Sequence, residues 1–76
     1  MMSEPEAGFP SLIKKVRAHL HLSQEDLARE LGVSFSTVNR WENGKTKPIK
    51  VARSQFEGFC AKMIRQGKLD KEILSQ

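Results

Sequence analysis

The sequence holds a single cysteine, Cys60, among 76 residues. One thiol permits no intramolecular disulfide and no cysteine-based zinc cluster, a usage that suits a reducing cytoplasm. No apolar run approaches the ~18 residues that a membrane-spanning helix needs. The first residues, Met1-Met2-Ser3-Glu4-Pro5-Glu6, are not the basic-then-apolar start of a secretory signal. The expected location is therefore cytoplasmic. No segment alternates as a half-buried strand would, and there is neither an internal repeat nor a low-complexity tract. A glycine-rich phosphate loop, a nucleophile–base arrangement and metal-ligand spacing are all lacking, which speaks against an enzyme and against a cofactor or metal. His19 and His21 stand two apart on a helix and share no face. Cys60 falls on an apolar stripe with no activating base beside it, the setting of a buried structural thiol rather than a nucleophile.

What the chain has is length for one domain and an excess of positive charge. A domain of this size buries only about 60% of its unfolded surface, so its stability is expected to be a few kcal/mol. The net charge is +4, with a sequence pI near 9.6. That excess fits a polyanionic partner, and it is also ordinary surface charge for solubility. Residues 23–49 are balanced, with Arg29, Arg40, Lys45 and Lys47 against Glu25, Asp26, Glu30 and Glu42. Residues 50–76 carry six basic groups and three acidic ones. Lys45, Lys47, Lys50 and Arg53 form a run without an acid, either a phosphate-contacting edge or a solvated loop.

Residues 1–8 are short, polar and acidic, and are expected to be mobile; residues 9–76 form the domain. Ser11 opens a first helix reaching Leu20 or His21, with Leu12, Ile13, Val16 and Leu20 as its core face. Leu22 to Lys47 reads as two short amphipathic helices joined by a tight turn. Ser23 is the N-cap of Gln24–Leu31, with Asp26 three residues on as a variant of the capping box. Leu27, Ala28 and Leu31 make its apolar face, and Gly32 supplies a left-handed exit. Ser34 caps a second helix, Phe35–Asn43, whose Val38 and Trp41 point inward and which Gly44 ends. Pro48 stiffens the loop that follows. Lys50 to about Gln66 is a longer helix, with Val51 or Ala52, Phe56, Phe59, Cys60, Met63 and Ile64 as a stripe that is core or a dimer surface. Gly67 stops it, and Leu69–Leu74 is a final turn or helix with Ile73 and Leu74 as packing candidates. The fold class is all-α: a compact bundle of four to five helices containing a helix-turn-helix motif at 23–43.

The stretch resembles the helix-turn-helix of the phage repressor and Cro-like (XRE-type) DNA-binding family. The residues that carry the resemblance are Ser23-Gln24-Glu25-Asp26-Leu27-Ala28, Gly32-Val33-Ser34, Val38 and Trp41-Glu42-Asn43-Gly44-Lys45. In such a motif the second helix lies in the major groove of double-stranded DNA. With Val38 and Trp41 inward, Phe35, Ser36, Asn39, Arg40 and Asn43 face out. The fork of Arg40 matches the O6 and N7 acceptors of guanine; the alternative is a surface pair with Glu42 or another acid. Asn39 pairs with adenine or points along the backbone, and Ser36 is a tolerant donor and acceptor. Phe35 meets a thymine methyl group or packs on the neighbouring helix.

The resemblance implies more. Ser23 and Gln24 match phosphate-contacting positions, Phe35, Ser36 and Arg40 base-reading positions, and Asn43, Lys45, Lys47 and Lys50 a second phosphate-contacting region. Arg17 and Glu42 match a pair that forms a buried salt bridge in relatives. Phe35 departs from the glutamine or other polar residue often found at its position, which concerns the target sequence rather than the binding mode. The expected function is that of a sequence-specific transcriptional regulator, with a homodimer through the C-terminal helices as a possible assembly. Rival expectations are the DNA-binding half of a toxin–antitoxin pair, a protein-interaction module that keeps the fold without reading DNA, and the targeting domain of a larger enzyme such as a DNA methyltransferase.

Overall fold

The computed structural model describes residues 8–75. Helix α1 spans Phe9–Leu20, α2 Gln24–Leu31, α3 Phe35–Glu42 and α4 Lys50–Arg65, and a 3-10 turn follows at Lys71–Ser75. No strand occurs among the described residues, and the protein is the all-α bundle its periodicities imply. The expectation of a mobile segment at 1–8 lies, apart from Gly8, outside the described residues.

All four helices end in one way. The residue after the last turn takes a left-handed conformation, and the next amide bonds back to a carbonyl five residues earlier: Leu22 to Arg17, Val33 to Ala28, Lys45 to Arg40 and Lys68 to Met63, at 2.9–3.0 Å. These bonds satisfy carbonyls that the helix itself leaves open. Gly32, Gly44 and Gly67 fill the left-handed site at φ near +72° to +75°, and His21 fills it on α1 at φ 58°. Gly44 lies one residue past the α3 cap, Asn43, so α3 is a residue shorter than its pattern suggests. The α2 start is reciprocal: Ser23 Oγ accepts from the Asp26 amide at 3.0 Å, and Asp26 Oδ2 accepts from the Ser23 amide at 3.1 Å. Ser34 Oγ accepts from the Thr37 amide at 3.1 Å at the start of α3.

The core gathers Ile13 and Val16 of α1, Leu27, Ala28 and Leu31 of α2, Val38 and Trp41 of α3, and Phe56, Phe59, Cys60 and Met63 of α4. The α4 stripe is thus filled by the chain's own core. Ala52 belongs to it as a half-buried residue, whereas Val51 is 65% exposed. Leu69 and Ile73 pack back onto the bundle, and Leu74 does not. Burial pushes the Cys60 thiol up to about 11, with Glu57 adding to the shift, so the thiol stays protonated near neutral pH.

One correction concerns the first helix, which begins at Phe9 rather than Ser11. Pro10 is no obstacle, because the first-turn amides have no intrahelical partner in any case. The gain is aromatic. The Phe9 ring meets Trp41 edge-on at 5.7 Å and Phe56 at 5.3 Å, joining the start of α1 to α3 and α4.

Candidate nucleic-acid interface

Helix α3 packs on α1 and α2 through Val38 and Trp41, and this fixes which face it turns outward. Ser36, Arg40 and Asn43 are exposed on that face, Asn39 is half-buried, and Phe35 is 48% exposed at its leading end. An aromatic ring left open at the tip of a helix is unfavourable unless something apolar covers it. Among the described residues no acid pairs with the Arg40 guanidinium. The expected alternative, a pair with Glu42, does not form, because that carboxylate is turned inward and taken.

Glu42 is the one buried charged residue among those described, at 5% exposure. Arg17 Nε donates to its Oε2 at 2.7 Å, and Arg17 Nη2 to its Oε1 at 3.0 Å. Arg17 Nη1 also donates to the Leu22 carbonyl at 3.1 Å, tying the ion pair to the α1–α2 turn. Burial alone would push the Glu42 carboxyl up. The bonds from Arg17 and Gln24 and the charges of Arg17 and Lys14 outweigh that and hold it below the usual carboxylate range. The bond to Glu42 raises the Arg17 guanidinium further.

The second carboxylate oxygen continues the network. Gln24 Nε2 donates to Glu42 Oε1 at 3.0 Å, Asn39 Nδ2 to Gln24 Oε1 at 3.2 Å, and Asn43 Nδ2 to Asn39 Oδ1 at 3.1 Å. Gln24 and Asn39 are therefore engaged with each other, although each keeps unused hydrogen-bonding capacity. The Asn39–Asn43 contact is an i, i+4 pair readable from sequence. The link through Gln24 is not, since it joins α2 to α3 in space. Periodicity also gave no sign of Phe9, whose aromatic contacts cross the fold.

Basic residues flank the C-terminal end of α3. Lys45, Lys47 and Lys50 are exposed and have no acidic partner among the described residues. Arg53 is withdrawn from that run: its Nε bonds Glu57 Oε2 at 3.2 Å and its guanidinium lies 4.9 Å over the Phe9 ring. The N-terminus of α2 adjoins the same end of α3 through the Gln24–Glu42 bond, with Ser23 exposed and Gln24 half-buried. A helix N-terminus of this kind favours an anion. The donor-rich outward face of α3 thus adjoins two groups of anion-compatible positions, the α2 N-terminus and the lysines that follow α3. No group of three or more His, Cys, Asp and Glu residues suited to a metal is gathered among the described residues, and none of their helices is long and apolar enough to cross a membrane.

Comparison with known proteins places these features in context. A family model described as helix-turn-helix matches residues 13–48, from the middle of α1 to the loop before α4. An uncharacterized HTH-type transcriptional regulator of Archaeoglobus fulgidus is 34% identical over 64 residues, 84% of this chain and 27% of that protein. The type II methyltransferase M.SsoII of Shigella sonnei is 41% identical over 44 residues, 54% of this chain and 12% of the enzyme. Multiprotein-bridging factor 1c of Arabidopsis thaliana is 30% identical over 70 residues, 92% of this chain and 47% of that factor. The chain therefore spans less than half the length of each of these relatives. No solved structure gives a significant match.

Proposed function

We propose that this chain, a member of the helix-turn-helix family by its residues 13–48, is a sequence-specific double-stranded DNA-binding protein that regulates transcription from the cytoplasm. The supporting observation is Arg40, exposed on the outward face of α3 with no acid to satisfy its fork among the described residues. Helix α3 enters the major groove. Arg40 reads guanine, Ser36 and Asn39 contact neighbouring base edges, and Phe35 covers a thymine methyl. Ser23 and Gln24 at the α2 N-terminus, and Asn43, Lys45, Lys47 and Lys50 at and beyond the end of α3, lie on phosphates and set the register. The mechanism is steric and electrostatic, with no bond made or broken.

Recovery of bound molecules from a random duplex pool at moderate salt tests the proposal. Enrichment of a defined motif is the expected result. Retention without enrichment, falling steeply with salt, would reduce the protein to a phosphate binder and refute it. The form of the motif reports the assembly. An inverted repeat with half-sites about one helical turn apart marks a homodimer, whose proposed surface is the C-terminal helices. A single short motif marks one copy, or the DNA-targeting part of a longer protein. The second form has specific support in the match to a short part of a type II methyltransferase.

A further inference from the structure

Five side chains form one hydrogen-bonded chain from the inside of the bundle to the end of α3, and its polarity is set at the buried end. A carboxylate only accepts. Glu42 faces Arg17 on one side and Gln24 on the other, so Gln24 must give it Nε2 and must turn Oε1 toward Asn39. Asn39 must then give Nδ2 to Gln24 and turn Oδ1 outward, where it receives Nδ2 of Asn43. The contacts run in this sense at 3.0, 3.2 and 3.1 Å. Reversing any one amide would set carbonyl oxygen against carboxylate or carbonyl oxygen, or N–H against N–H. The anchor itself, Glu42, is buried and held twice by Arg17.

This matters for Asn39 because an asparagine is two different readers. An amide free to turn offers N–H or carbonyl to whatever base it meets, and so forms a bond with any of them. A locked amide does not. After its two internal bonds, Asn39 keeps one N–H and one carbonyl lone pair, in places it cannot exchange. That edge matches adenine, where an acceptor (N7) adjoins a donor (N6), and conflicts with guanine, where both groups accept.

We infer that Glu42, acting through Gln24, is a specificity-determining positioning residue that holds Asn39 in the amide orientation selecting adenine over guanine. The inference rests on the DNA-reading proposal above and adds the residues that give it discrimination. Neither Glu42 nor Gln24 need touch a base for this.

The test compares binding to the selected duplex and to the same duplex carrying guanine for adenine at the pair mapped by Asn39→Ala. Wild type should prefer adenine by about fivefold or more. Gln24→Met leaves the Arg17–Glu42 pair intact, and Glu42→Gln removes the fixed polarity. Each should bring the preference to about twofold or less, and Gln24→Met combined with Asn39→Ala should lower it no further. Gln24→Glu combined with Glu42→Gln moves the carboxylate next to Asn39 without changing the polarity that Asn39 meets, and should restore the preference even if overall affinity falls. A purely structural role for Glu42 gives no such rescue. Loss of a phosphate contact at Gln24 would weaken both duplexes equally and leave the preference unchanged, which would overturn the inference while the DNA-reading proposal stands. A wild-type protein that enriches no motif would overturn both.

Discussion

Arg17 of α1 clasps Glu42 at the end of α3 through two parallel bonds, Nε to Oε2 at 2.7 Å and Nη2 to Oε1 at 3.0 Å. The two partners are not equivalent. The Arg17 side chain is 26% exposed and the Glu42 side chain 4%. Freed of Glu42, the guanidinium can turn to water. Freed of Arg17, the carboxylate keeps one glutamine bond and stays buried. Arg17→Met should therefore destabilise the fold by about 2–4 kcal/mol, and Glu42→Gln by only about 1–2 kcal/mol. Chemical denaturation of the two variants measures the order, and the reverse order would refute this asymmetry.

The same carboxylate makes stability sensitive to acid. Glu42 is held below the usual range by Arg17 and Gln24 against the opposing effect of burial. Asp26 is held below it chiefly by the Ser23 amide and then the Ser23 hydroxyl. A depressed folded-state pKa gives stability that is present above the unfolded value and lost as pH falls through the folded one. Unfolded Glu and Asp titrate near about 4.3 and 3.9. Melting temperature should thus be level from neutrality to about pH 5 and decline below that. In Glu42→Gln the decline should be shallower, which a melting series from pH 7 to pH 3 reads directly.

His21 is the one non-glycine residue in the left-handed region among those described, at φ 58°. It does on α1 what glycines do at the ends of α2, α3 and α4. Its Cβ meets the backbone there at a cost of about 1–2 kcal/mol, against about 0.5–1 kcal/mol for the extra unfolded-state freedom of glycine. His21→Gly should raise stability by about 0.5–1 kcal/mol, seen as a rise in melting temperature of a few degrees. His21→Val should lower it.

Phe9 joins three elements from the first turn of α1, through its edge contacts with Trp41 and Phe56 and the Arg53 guanidinium over its ring. It is half-buried, so Phe9→Ala should cost about 1.5–3 kcal/mol, less than truncating a fully buried aromatic. Phe9→Leu restores volume but neither edge contact nor cation–π contact, and should fall between the two in denaturant midpoint.

Much of this is legible in the sequence, and the reason is local. Ser23 with Asp26, Ser34, Gly32 and the spacing of Leu27, Ala28, Leu31, Val38 and Trp41 are signals carried within one turn of helix, and they place α2 and α3 to within a residue. Phe9 lies before the helix start read at Ser11, because its rewards, Trp41 and Phe56, lie far along the chain. The exposure of Val51 beside half-buried Ala52 is a choice that period alone leaves open. At the candidate interface, the outward face of α3 followed from its inward one. The engagement of Gln24 with both Glu42 and Asn39 did not, because it depends on how two helices pack, and no single-helix pattern encodes that.

The central claim is that α3 reads base edges, with Arg40 as its principal reader. The most direct measurement is parallel selection from one random duplex pool by the wild-type protein and by Arg40→Ala, at the same salt. The account predicts a defined motif for the wild type, and for Arg40→Ala the same motif with one guanine position relaxed, a loss of about 1–3 kcal/mol at that base pair alone. An identical motif of undiminished strength from Arg40→Ala, or no motif from the wild type, would contradict it.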